Sequence, residues 1–230
     1  MQLGVEELAG MALNPVVCRP VNGELSDLGC VEPEAYKATA VLPLRRHWLG
    51  ADAMPAERAV ARVGGSPDGL CFYVWLEDHC IFTTATADNQ RLWALGDTVE
   101  FFVKPGAARR DYWEVHLSPT GQIMDLLIPE REGFMRGTIT WEQAIAPDSH
   151  SRKRVLAEPA RNQWAVELCL PWASLGFSGP PPAGSVWQFA VCRYNYHGTL
   201  QDPELSSTAA LTKCAFHRYE EYHDLLFPGA

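Results

Sequence analysis

The chain has 230 residues, 47% of them hydrophobic, and a formal net charge of −9. That length and apolar share suit one large core, while the acid excess argues against nucleic-acid binding and no run approaches the roughly 20 apolar residues of a membrane span. Its 17 prolines and 18 glycines punctuate short segments, as all-β folds require.

Met1 to Leu13 reads as a short helix or an untidy leader. With Glu6 and Glu7 and no positive n-region it is not an intact signal peptide. Residues 1–14 are therefore taken as an N-terminal extension and 15–230 as one domain. Val16 to Val21 is a short strand candidate, and Asn22-Gly23 a turn. Tyr36 to Leu42 is the next strand expectation, followed by a loop from Arg45 to Glu57 that carries Trp48. Arg58 to Val63 and Leu70 to Leu76 flank the turn sequence 64–69 and read as a hairpin with a long connection. Glu77 to Arg91 is a polar connection.

The most telling segment follows. Gly96-Asp97 opens a strictly alternating run, with Val99, Phe101 and Val103 on one face and Thr98, Glu100, Phe102 and Lys104 on the other. That period predicts a half-buried strand. Tyr112 to Leu117 and Gln122 to Leu127 are further strands across a Ser118 to Gly121 turn. Thr138 to Ala144 and Arg152 to Ala157 are weaker strand candidates, the second starting on a basic run, Arg152 to Arg154, read as a solvated loop edge. Gln163 to Leu170 alternates again, Pro171 to Gly176 suggests one helical turn, and Val186 to Tyr194 is the last long strand. Turn signals every 8–12 residues predict an all-β, antiparallel sandwich of jelly-roll or immunoglobulin-like type with short helical turns.

The seven cysteines include no CxxC pair, so zinc and thioredoxin motifs are not supported. The expectation is mostly buried, reduced thiols, with room for one bridge involving Cys18 or Cys30. Free thiols point to a reducing, cytoplasmic setting, or to export if a leader precedes the chain.

Period-2 geometry puts Glu100, Glu114 and Glu167 on the faces away from the large apolar side chains, with Tyr112 and His116 sharing the face of Glu114. If the three strands are neighbours, the acids form one polar patch, which Arg193 and Asn195 would complete. Such a patch hydrogen-bonds sugar hydroxyls, and Trp93, Tyr194 and Tyr196 stand in or beside loops, where rings can stack on a sugar. Trp113, Trp164 and Trp187 read as core. Asp78-His79 and Asp88-Asn89 read as turn-capping side chains, not a calcium loop, and His116, His217 and His223 lack metal-ligand spacing. No nucleotide, hydrolase or zinc-protease fingerprint occurs.

Six segments in order resemble the family 9 carbohydrate-binding modules and their DOMON-like relatives. They are Pro20 to Asp27, Gly69 to Asp78, Gly96 to Val103, Tyr112 to Gly121, Trp164 to Gly176 and Trp187 to Tyr194, with Phe216-His217 and Leu225 to Phe227 at the end. The resemblance spans about residues 15–227. It implies a sandwich that binds the end of a saccharide non-catalytically by clamping it between aromatic rings. Trp93 and Glu100 match the first aromatic and its acid, and Arg193 and Asn195 the polar partners. Tyr36 stands in for an early tryptophan that is absent here. The ligand-binding set is thus Trp93, Glu100, Glu114, His116, Arg193, Asn195 and Tyr196. No cofactor is expected, although some members of the family hold structural calcium. Two rival readings are a glycoside-active enzyme using Glu100, Glu114 and Glu167, and an interaction sandwich that binds no sugar.

Overall fold

The computed structural model describes residues 15–21, 26–145 and 147–229. The expected leader, the Asn22-Gly23 turn and the end of residues 1–14 as an extension lie outside them. Thirteen strands and two short helices are described: β1 (Val16–Val17), β2 (Arg19–Pro20), β3 (Leu42–Pro43), β4 (Ala59–Gly65), β5 (Gly69–Glu77), β6 (Thr98–Lys104), β7 (Tyr112–Leu117), β8 (Ile123–Ile128), α1 (Arg131–Met135), α2 (Trp141–Ile145), β9 (Arg152–Glu158), β10 (Gln163–Pro171), β11 (Val186–Asn195), β12 (Glu204–Ser207) and β13 (His223–Leu226). They form two facing sheets. The first runs β1-β13-β11-β6-β7-β8, with β12 also on β11; the second runs β2-β4-β5-β10-β9, with β3 on β4. All long pairings are antiparallel, and only the two-residue pairs β1–β13 and β2–β4 are parallel. The chain is an all-β sandwich.

Alternation explains the core. Val99, Phe101 and Val103 of β6, Trp113, Val115 and Leu117 of β7, and Trp187, Phe189 and Val191 of β11 point between the sheets. There they meet Phe72, Val74 and Leu76 of β5 and Trp164, Val166 and Leu168 of β10. Each such side chain, fully buried, contributes about 1.5–3 kcal/mol. The three tryptophans read as core are there.

Several local expectations are corrected. Tyr36 to Leu42 is not a strand: Glu34–Tyr36 is a 3-10 turn after Pro33. Arg62 holds the segment by donating to the carbonyls of Tyr36 and Thr39. The stretch from Thr138 to Ala144 enters α2, whose start is organised by Thr140 and Gln143 side chains exchanging hydrogen bonds with each other's backbone amides. The basic run is no loop edge but the start of edge strand β9, where its charges blunt an otherwise open sheet edge. The connection after β4 is only Ser66-Pro67-Asp68.

One disulfide joins Cys71 to Cys169, directly opposed on β5 and β10. The bridge thus uses neither Cys18 nor Cys30. Cys18 and Cys192 are buried free thiols, whereas Cys30, Cys80 and Cys214 are exposed, against the expectation of burial. The pair lies on the outer face of the second sheet, where a small cluster of Tyr36, Tyr73 and Trp75 packs.

The outer face of the first sheet differs from an ordinary solvated face. Phe102, Tyr112, Met124, Leu126, Ile128, Ala190 and Cys192 form a second apolar layer there, covered by α1, α2 and the loop holding Phe216 and Tyr222. As a result β6 is buried along its whole length, not half-buried. The cover leaves one cleft.

Candidate functional site

The cleft floor follows from strand register. Cys192, Glu100, His116 and Met124 lie in one row across β11, β6, β7 and β8, and Ala190, Phe102, Glu114 and Leu126 in the next. Odd-even parity sends all eight outward, away from the inter-sheet core. The cleft above them has a volume of about 470 Å³, and its walls include Trp93, Trp141, Phe134, Tyr194, Phe216 and His217.

Trp93 is delivered by a local device. Leu92–Ala94 is a 3-10 turn that leads into Gly96, whose φ is +142°. A side chain at Gly96 would stand 2.4 Å from the Phe82 carbonyl oxygen, so only glycine fits. Asp97 then ties the turn down, accepting from the amides of Phe82 at 2.5 Å and Tyr196 at 2.7 Å. The Tyr196 hydroxyl donates to the Trp93 carbonyl. The Trp93 ring meets Trp141 at 5.3 Å and His116 at 5.5 Å between centroids. Across the cleft, Tyr194 stands edge-on to Phe216 at 5.6 Å.

The floor is charged. His116 places one ring nitrogen on each acid: Nε2 is 2.7 Å from Glu114 Oε1 and Nδ1 3.3 Å from Glu100 Oε1. All three side chains are buried. Glu114 Oε2 and His116 Nδ1 have no hydrogen-bond partner among the described residues. His217 Nδ1 lies 3.7 Å from Glu114 Oε2 and 2.8 Å from the Tyr112 hydroxyl. Burial, then the neighbouring Glu114 charge, pushes the Glu100 carboxyl well above the usual range. Burial acts the same way on Glu114, but His217 and His116 together hold it below its ordinary value. The pair therefore keeps a proton on Glu100 and the charge on Glu114, because two carboxylates this close do not both ionise readily.

The expected site set divides. Trp93, Glu100, Glu114 and His116 do come together. Tyr196 is a buried prop beneath Trp93, stacked against Tyr194 at 6.4 Å. Arg193 and Asn195 do not join: they share the parity of Phe189 and Val191 and face the sheet interior. Arg193 bonds Asp78 Oδ2 at 3.1 Å and reaches Glu57 Oε2 at 3.7 Å. Asn195 donates to Glu57 Oε2 at 2.6 Å, and Trp164 donates to Asp78 at 3.0 Å. This network clamps β4, β5, β10 and β11 at one end of the sandwich. Glu167 lies in the other sheet, accepting from the Tyr36 hydroxyl at 2.9 Å. The three-acid patch is therefore not formed, and Tyr36 is no cleft aromatic. The parity rule that placed Glu100 also places Arg193 inward, so that signal was available in the sequence.

Trp141, Phe134 and Phe216 were missed as wall residues. They reach the cleft from loops far along the chain, and no local pattern marks them. Asp78 caps its own turn, accepting from the Cys80 amide, whereas Asp88 and Asn89 do not cap theirs through these bonds but accept across the fold from the Ile123 and Asp125 amides, and His223 meets the Thr208 carbonyl.

No family model and no curated protein matches this sequence. Solved structures do. A Bacteroides uniformis protein described as a candidate carbohydrate-binding protein superposes with a TM-score of 0.64 at 15% identity, over 92% of this chain and 97% of that one. The fold is that of the family 9 carbohydrate-binding modules. One such module, from Caldicellulosiruptor kristjanssonii in complex with cellotriose, gives a TM-score of 0.63 at 11% identity over 94% of both chains. A second, from the same organism in complex with glucose, gives 0.62 at 11% identity, over 93% of this chain and 95% of that one. The likeness runs through both sheets, as the order of motifs predicts.

Proposed function

We propose that this domain binds a saccharide non-catalytically in the cleft on the first sheet. The observation that carries the reading is the meeting of Trp93 and the Tyr194–Phe216 pair over the Glu100–Glu114–His116 floor. Aromatic walls match the apolar faces of a pyranose ring, and buried acceptors with no partner match its edge groups. Family 9 modules of the same fold are known in complex with cellotriose and glucose, which supports a saccharide as the class of ligand. The three-acid patch on which a hydrolytic reading rested is not formed, because Glu167 is across the sandwich from the other two acids.

Isothermal titration with glucose, cellotriose and short xylans is the test. Binding should be measurable for at least one saccharide. Trp93→Ala should weaken it several-fold, since aromatic contacts are worth roughly 0.5–1.5 kcal/mol beyond their area, while Tm moves little. Unchanged binding in this variant, or no binding to any saccharide tried, refutes the assignment.

A further inference from the structure

The cleft floor has an acceptor to spare. Glu100 and Glu114 line it, and among the described residues no lysine or arginine does. His116 stands between the two acids. His217 is beyond hydrogen-bond distance of Glu114 and already engaged by Tyr112. Glu114 Oε2, buried and on the cleft lining, accepts nothing. Neutral sugar hydroxyls would satisfy such an oxygen with one donor each and leave its charge in place. A buried carboxylate oxygen with no donor is costly, and a charged donor offsets more of that cost than a neutral one. An ammonium brings three donors and a positive charge together. The walls suit it too, because indole and phenol faces attract cations within about 6 Å of the ring centroid.

We infer that the cleft selects saccharides bearing a free, protonated amine, with Glu114 accepting from the ammonium and Glu100 beside it. This rests on the saccharide reading above and narrows it to amino sugars. The orphan Glu114 oxygen gives the ammonium its acceptor. A divalent metal is the competing occupant, since the ligand atoms of Glu100, Glu114 and His116 lie within 4.8 Å of one another. Nδ1 of His116 is open to such an ion while Nε2 stays on Glu114 at 2.7 Å, so the titration is run with EDTA and again with a divalent cation to separate the two occupants.

The experiment is calorimetric titration of the full chain, in buffer with EDTA at mildly acidic pH. The ligands are glucosamine and its β-1,4 trimer, against glucose, cellotriose and the N-acetylated trimer. The amine ligands should bind at least fivefold more tightly than their neutral counterparts. Glu114→Gln should erase that preference, and Glu114→Asp, which draws the acceptor back by one methylene, should reduce it if the first variant does not fold. Equal or tighter binding of the neutral sugars overturns the amine assignment and leaves saccharide binding standing. Binding that appears only when a divalent cation replaces EDTA overturns it in favour of a metal. Absence of all saccharide binding overturns both readings.

Discussion

β6 and β11 are neighbours, and each face of this strand pair carries a buried charged cluster. On the inner side, Arg193 sits with Asp78, Glu57 and Asn195; on the outer side, Glu100 and Glu114 sit with His116. The inner cluster contains its own guanidinium and each carboxylate oxygen of Asp78 and Glu57 has a donor, although Arg193 Nε and Asn195 Oδ1 stay unpaired among the described residues. The outer cluster has two acids, a shared imidazole and an orphan oxygen at the wall of a cleft. Burial alone therefore does not distinguish structural charge from functional charge. Pairing of the carboxylates does: where each carboxylate oxygen meets a donor the cluster ties the sheets together, and where one does not it has capacity left for something else.

The comparison is best broken by removing one charge from each side. Arg193→Met should leave Asp78 and Glu57 buried without a cation, at a cost of about 3–5 kcal/mol. For a chain this size that corresponds to a fall in Tm of roughly 6–20 °C. A melt that shifts by less than the assay error would show the inner cluster to be dispensable. Glu100→Gln, by contrast, should change stability by within about 1 kcal/mol at neutral pH. It removes a carboxyl that burial and Glu114 already push toward the neutral form. If its melt falls as far as that of the arginine variant, the outer cluster is structural after all.

A smaller effect sharpens the contrast through pH. Burial, then the nearby Asp78 charge, raises Asp97 from 3.8 to about 7, despite two backbone donors that favour its charged form. A carboxyl whose folded pKa is raised holds its proton in the native state after the unfolded chain has released it. Its stabilising contribution is full below about pH 4 and is lost as pH rises through about 7. Urea melts should therefore show the native protein losing stability between about pH 4 and pH 7. Asp97→Asn, though less stable for the loss of an acceptor beneath Trp93, should flatten that slope. A parallel slope in the variant would assign the pH dependence to other groups, Glu100 first.

The strands were legible because alternation in Thr98 to Lys104, Tyr112 to Leu117 and Gln163 to Leu170 is local and strong. The same alternation identified the acid floor of the cleft, since Glu100, Glu114 and His116 each oppose apolar neighbours on their own strand. Reading failed where structure is decided at a distance. Thr138 to Ala144 has β-branched residues that suggest a strand, yet two side-chain caps and packing against β8 make it a helical cover. Trp141 and Phe216 become cleft walls only because the loops fold over the sheet. Arg193 was misplaced for a different reason: an end-of-strand position was taken as a route to the binding face without counting parity back to Val191.

The bridge between Cys71 and Cys169 spans a sequence separation of 98 residues. Everything that builds the cleft floor from β6 to β8, and the cover from α1 and α2, lies within that covalent ring. The exposed turn at Arg136 lies within it too. A single tryptic cut there opens the ring but leaves the Cys71–Cys169 bond joining the two fragments. The nicked protein should run as one species on a non-reducing gel and as two after reduction. The α1–α2 part of the cover can thus be cut, lengthened or exchanged while the two halves of the chain stay tethered through the central strands of the opposite sheet.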